Sequence, residues 1–328
     1  RIASMTAAPG GTRVAFEARG ELFDVPAEEG FTLNLTRSSG AFDHSPAWSP
    51  DGRLIAYWSD QSGEYEIHLH GVSGEQSSRQ LTTRGKGYGY GLFWSPDSSK
   101  LSFIDETNTI YLVDVESGEV AEVASSVWNL GHGSRYGYNI SWSPDSRWLT
   151  FALGQQNTHT AIYIYDAEES ELQQVTSGFY SDLSPIFSAD GQYLFFLTNR
   201  NFDVVYSDLD QTWVYPNATQ LAAISLDPST PSLLPVKNDE VEFAADEDEA
   251  ETNDAASEDA AVNIMFAGME ARIELLPPAA GNIGALMPFD GKVAYVRRPN
   301  TGSAEEDANL VFYDIEGQEE KTILADVD

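Results

Sequence analysis

Two histidines spaced i, i+2 fall in the run Glu66–His70 (EIHLH). A strand would place His68 and His70 on one face, where two imidazoles could hold zinc. No third ligand accompanies them, and the run reads as an outer, solvent-facing strand, so no metal is assigned. His132-Gly133-Ser134 sets a base beside a nucleophile. Triad members meet from distant segments, however, and the tripeptide reads as a loop between repeats. The other histidines, His44 and His159, bring no catalytic pattern. No G-x-S-x-G elbow occurs, which excludes an α/β-hydrolase site. GKGYGYG (85–91) lacks the Lys-Ser/Thr ending and following helix of a phosphate loop, and reads as an ordinary connection before a strand. Arg297-Arg298 offers a guanidinium fork for a peptide carboxylate, but it ends a second strand and reads as surface. The acidic run between Asp239 and Asp259 lacks the Gly-punctuated spacing of a calcium loop. Asn-x-Ser/Thr sites at Asn34, Asn139 and Asn217 carry meaning only in a eukaryotic secretory context. The sequence therefore assigns no catalytic, cofactor-binding or metal residue, and this chain by itself reads as a non-enzyme.

The elements around these residues are set by a repeat. WSPDG at 48–52 recurs as WSPDS at 94–98 and 142–146, and more weakly as FSADG at 187–191. Ser-Pro-Asp-Gly suits a type I turn, with apolar strands on both sides, so each copy is the tip of a β-hairpin. The turn aspartates are 46, 48 and 45 residues apart. Degenerate copies lie at Ala8-Pro9-Gly10-Gly11 and Phe289-Asp290-Gly291. Each unit continues with two more strands, as in Thr109–Asp114 then Val120–Val123, or Ala161–Asp166 then Leu172–Thr176. Four strands in 40–50 residues is the size of a propeller blade. The second strands are apolar nearly throughout, as blades covered on both faces require. No helical stretch of ten residues stands out. The expected fold is all-β, a propeller of four-stranded blades.

Composition narrows the partners. The formal charge is −34, from 52 acidic and 18 basic residues, so no basic stripe exists for nucleic acid or anionic lipid. No apolar run approaches a membrane span. The chain has no cysteine, which excludes disulfides and thiolate metal sites. Scarce lysine beside the high acidity points to a saline habitat. Residues 238–261 read as a solvated, mobile insertion in a single propeller domain. The first residue is Arg1, which reads as a processed or excised chain.

Several stretches resemble the second, seven-bladed propeller of tricorn-type proteases. The most specific are EARGELFDVPAEEG (17–30) followed by NLTR, and GFYSDLSPIFS (178–188); the likeness continues weakly through Met269–Ile273 and LPPAAGNIGAL (276–286). The resemblance implies a large serine peptidase that trims oligopeptides, cytoplasmic in its family, with periplasmic as the alternative. It implies a six-bladed propeller before this one, and a PDZ domain flanked by catalytic domains after it. The chain would then be a non-catalytic gate. Its partners would be peptide substrates in transit, the parent's catalytic and PDZ domains, and further copies of the parent. A TolB-like interaction scaffold and a prolyl-oligopeptidase-like propeller are the alternatives. Six of the family's seven blade starts are visible, at 10, 51, 97, 145, 190 and 290. The gap from 190 to 290 contains Leu221–Leu226 and Val262–Leu276, read as outer strands of blade five plus an excursion, with a further blade as the rival reading. The expectation is six blades of a seven-blade ring, with an open seam.

Overall fold

The repeated pentad builds a hydrogen-bonded hairpin tip. In each of its four copies the Ser hydroxyl donates to the Asp two residues on: Ser49–Asp51 at 2.6 Å, and Ser95–Asp97, Ser143–Asp145 and Ser188–Asp190 at 2.5 Å. The same carboxylates accept the backbone N–H groups of Arg53, Ser99, Arg147 and Gln192. The Ser oxygens in turn accept the N–H that starts the second strand, from Leu54, Lys100, Trp148 and Tyr193. Ser and Asp two apart thus satisfy the turn's orphan amides, which is why the pair persists while its neighbours vary.

The computed structural model describes residues 2–72, 78–128, 132–201, 204–235, 261–304 and 307–327. The acidic segment 238–261 lies outside them except for Ala261, and so does the side chain of His132. Blade 1 is β1 (Ile2–Ala7), β2 (Arg13–Ala18), β3 (Glu21–Pro26) and β4 (Leu33–Asn34). Blade 2 is β5 (Asp43–Trp48), β6 (Leu54–Ser59), β7 (Glu66–Gly71) and β8 (Arg79–Gln80). Blade 3 is β9 (Gly89–Trp94), β10 (Lys100–Asp105), β11 (Thr109–Asp114) and β12 (Val120–Ser125). A five-residue helix, α1 (His132–Tyr136), leads to blade 4: β13 (Ser141–Trp142), β14 (Trp148–Gly154), β15 (Thr160–Asp166) and β16 (Glu171–Gln174). Blade 5 begins with β17 (Asp182–Phe187) and β18 (Tyr193–Thr198). A separate hairpin, β19 (Val205–Ser207) and β20 (Thr212–Val214), interrupts it before β21 (Gln220–Ser225) and β22 (Ile273–Leu275). Blade 6 is β23 (Asn282–Phe289), β24 (Lys292–Arg298), β25 (Ala308–Asp314) and β26 (Glu319–Val327).

All strand pairs in these six four-stranded sheets are antiparallel neighbours. The all-β propeller expectation holds, with six blades. Val262–Leu276 does not start a further blade: β22 pairs with β21 and completes blade 5. Residues Arg1–Gln173 form one compact unit and Gln174–Asp328 a second.

Within the first unit, β1, β5 and β9 are successive neighbours at the inner edge of their blades. Apolar clusters fill the spaces between blades. Ala56, Trp58, Ile67 and Leu69 of blade 2 meet Leu92, Leu101 and Phe103 of blade 3. Ile104 and Ile110 of blade 3 meet Trp142, Leu149 and Phe151 of blade 4. In the second unit Phe195, Leu221 and Ala223 of blade 5 meet Ile283, Val293 and Tyr295 of blade 6. The repeated tryptophans occupy equivalent places. Trp48 and Trp142 are each 8% exposed and Trp94 is half-buried. Trp94 donates its indole N–H to the Ala47 carbonyl of blade 2 at 3.0 Å, and Trp142 to that of Phe93 in blade 3 at 3.2 Å.

GKGYGYG is a connection into β9, as expected, but one of its glycines is required by packing. A Cβ on Gly89 would lie 1.9 Å from the Trp58 ring. Trp58 is fully buried and bonds the Tyr90 carbonyl through its indole N–H at 2.7 Å. Gly89→Ala is expected to displace that ring and destabilise the chain by about 1–3 kcal/mol. Urea unfolding of the variant, followed by far-UV circular dichroism, measures the loss.

Candidate functional site

At the end of the blades opposite the Ser-Pro-Asp turns, the inner strands begin and the second strand turns into the third. There the first unit carries a run of aromatic rings. Phe42 and His44 enter β5, Tyr65 precedes β7, Tyr88 and Tyr90 enter β9, and Tyr136 ends α1. His44 stacks on Tyr88, with centroids 4.9 Å apart and planes at 7°. Tyr65 meets both rings edge-on at 5.2 and 5.1 Å. Tyr90 links Tyr88 to Tyr136 through two edge contacts of 5.1 Å. The Tyr88 and Tyr136 hydroxyls hydrogen-bond at 2.7 Å. Arg135 lies 5.5 Å from the Tyr90 ring and donates to Asn108 Oδ1 at 2.7 Å. The rings therefore form a continuous ladder from blade 2 through blade 3 to α1, with Phe42 and Tyr136 open to solvent. Such a surface offers π-faces and edges to apolar and cationic side chains without selecting one sequence. Burial lowers the His44 imidazole to about 4, against the opposing pull of Asp60. Burial, then the hydrogen bond with Tyr136, holds the Tyr88 phenol well above its usual range.

A second feature lies between blades 1 and 2. Register places Tyr57 opposite His68, and His68 opposite Gln80, in one cross-strand row of blade 2. His70 is the next residue on that face. These four side chains, with Leu35 and Thr36 of blade 1, line a cleft of about 480 Å³. The expectation of a solvent-facing strand is corrected here: β7 is largely buried, and His68 is 8% exposed. The strand is third of four, and β8 and blade 1 cover the face that composition alone left open. His70 Nδ1 and the Ser78 hydroxyl are 3.0 Å apart. Burial lowers both imidazoles, opposed by Asp43 and Glu66 at His68 and by Asp24 at His70. Tyr57 is pushed up to about 12 by burial and by Asp43.

The remaining candidates stay apart. His132 begins α1 in the connection between blades 3 and 4, and His159 lies in the β14–β15 loop. Arg297 is engaged by Glu320 at 2.5 Å and donates to the Ala279 carbonyl at 3.1 Å. Arg298 is exposed at the end of β24, and the pair lines a cleft of about 500 Å³ with Asn300, Ser303 and Asn309. Among the described residues, serine and histidine side chains meet at His70–Ser78 and at His44–Ser45, the latter 3.0 Å. Ser45 has a left-handed φ of 52°, which invites a nucleophile reading. The same bulge recurs at Ser184 (φ 49°) and Ala285 (φ 56°), where no histidine precedes it, so the strain belongs to the repeat. Among the described residues no carboxylate is hydrogen-bonded to either imidazole, and no group of three His, Asp or Glu side chains is placed to hold a metal. No described helix is long and apolar enough to cross a membrane.

Known proteins share this architecture. The crystal structure of tricorn protease superposes with a TM-score of 0.77 at 16% identity, over 99% of this chain and 30% of that one. Tricorn protease homolog 1 of Streptomyces coelicolor is 24% identical over 293 residues, 88% of this chain and 27% of that protein. A second tricorn protease homolog of that organism is 32% identical over 133 residues, 40% of this chain and 11% of that protein. The chain thus spans a small part of the length of its curated relatives. A family model described as the tricorn protease second beta propeller domain matches residues 2–328. The chain belongs to that family.

Proposed function

We propose that this chain is the non-catalytic propeller of a tricorn-type serine peptidase, and that it serves substrate access and assembly while catalytic and PDZ domains of the parent perform oligopeptide hydrolysis. Family membership over residues 2–328 carries this reading. The aromatic ladder supports it: rings from blades 2 and 3 and from α1 line the end where the inner strands begin, a sequence-tolerant surface suited to peptides in transit. The family resemblance points to a cytoplasmic parent that assembles with further copies of itself.

The purified chain is expected to hydrolyse no peptide or ester. Covalent labelling of one serine by a fluorophosphonate, with turnover lost on mutating that serine, would overturn the non-catalytic assignment. In the parent enzyme, Tyr136→Ala is expected to lower kcat/KM for long peptides while leaving a minimal chromogenic substrate unaffected. Equal effects on both substrates would refute passage along the ladder.

A further inference from the structure

The spaces between blades of the first unit differ in kind. Those between blades 2 and 3, and between blades 3 and 4, are closed by large apolar clusters and by an indole N–H bonded to the preceding blade. Between blades 1 and 2 the cluster reduces to Ala15, Trp48 and Ile55 with Ala8, Leu35 and Val72 beside it. Above it opens the cleft lined by Tyr57, His68 and His70. Buried polar atoms left without a partner gather on the elements that face each other here: Asp24 Oδ1 of blade 1, and Trp48 Nε1 and His68 Nε2 of blade 2. Native interiors rarely leave such atoms unsatisfied; the His68 ring lines the cleft, and an unpaired imidazole nitrogen can accept a hydrogen bond or coordinate a metal ion.

The choice between those occupants follows from chemistry and field. An anion is disfavoured by the formal charge of −34 and by the Asp24, Asp43 and Glu66 carboxylates that act on the two rings. Arg79 also lines the cleft but donates to the Val115 carbonyl, and the three carboxylates outnumber it, so the field favours a cation. Two imidazoles at i, i+2 present nitrogen ligands on one strand face, and nitrogen donors select late first-row ions over calcium and magnesium. The Ser78 hydroxyl engages His70 Nδ1, which leaves Nε2 of that ring for coordination and fixes its orientation, as outer partners of metal-bound histidines do.

We propose that the cleft between blades 1 and 2 binds a late first-row divalent cation such as Zn²⁺ or Cu²⁺ through the imidazoles of His68 and His70, with solvent completing the coordination. With two protein ligands it is an open, exchangeable site, in contrast to the closed four-ligand sites that hold structural zinc.

The test is isothermal titration of the metal-free chain with ZnCl₂ and with CuCl₂, in excess Mg²⁺ to occupy surface carboxylates. One ion per chain is expected, and Cu²⁺ electron paramagnetic resonance should show nitrogen ligation from two imidazoles. His68→Gln and His70→Ala should each weaken binding by about tenfold or more, whereas His159→Ala should leave it unchanged. Ser78→Ala, at an exposed position, should weaken it by a smaller factor while retaining the native circular dichroism spectrum. If His68→Gln does not fold, His70→Ala and Ser78→Ala decide. Absence of binding, or binding that both histidine changes leave intact, would overturn the proposal.

Discussion

Truncation of Trp142 to Ala is expected to lower the stability of the first unit by about 3–5 kcal/mol, measured by urea unfolding. The indole is 8% exposed and lies in the cluster that joins blades 3 and 4, among Ile104, Ile110, Leu149 and Phe151. Its loss opens a cavity on a surface where neighbouring sheets must interdigitate. It also removes the donor to the Phe93 carbonyl. Trp142→Phe separates the two effects, since it keeps an aromatic ring and loses the N–H. Trp48 supplies the contrast. It stands at the same place in the repeat, but its Nε1 is buried without a partner. Trp48→Phe therefore removes an unsatisfied donor, and should be milder than Trp142→Phe by about 1 kcal/mol. Equal losses at the two positions would show that the interblade indole bond contributes nothing.

Much of the architecture was legible because it is local and repeated. The Ser-x-Asp turn satisfies its own amides within five residues, so its recurrence marked blades 2 to 5 without knowledge of what they pack against. The second strands announced their burial by their composition, and Tyr193–Thr198 of β18 is buried at every position. What depends on a residue one repeat away was not legible. The change from Gly52 to Ser98 and Ser146 at the fifth position of the pentad looks neutral in sequence. In the fold, Asp51 N–H donates to Ser98 Oγ at 3.2 Å, and Asp97 N–H to Ser146 Oγ at 3.0 Å. Each serine accepts a left-handed φ of 61° that glycine adopts freely, and its hydroxyl ties adjacent turns together. The burial of His68 and His70 was missed for the same reason: alternation within β7 could not reveal that blade 1 covers it. The aromatic ladder was missed because its members are scattered from Phe42 to Tyr136 and meet only through the propeller's stacking. The β19–β20 hairpin was absorbed into the excursion of blade 5, since three-residue strands leave no periodic signal.

The stability of the first unit should also depend on pH between about 4 and 6.5 through His44. Its imidazole is buried against Tyr88 and Tyr65, and Nε2 has no partner, so the charged form is disfavoured and the ring is lowered to about 4. In the unfolded chain it returns to its ordinary value near 6.5. Between those values the unfolded state binds the proton and the folded state does not, so stability falls as pH drops through the window and is constant above it. Two and a half pKa units correspond to about 3 kcal/mol lost by pH 4. Asp60 opposes this by favouring the charged ring, and its effect is already contained in the lowered value. Burial lowers His68 and His70 as well, in the same sense, while protonating surface carboxylates relieves the repulsion of a strongly acidic chain. The His44 contribution is therefore read from a difference. His44→Phe keeps an aromatic ring against Tyr88 and has no group to titrate. Unfolding free energies of this variant and the unaltered chain should differ by a constant above pH 7, with the balance shifting by about 3 kcal/mol in favour of the variant by pH 4. Parallel stability curves through that range would mean that the imidazole is charged inside the ladder, and the aromatic surface would then carry a cation of its own.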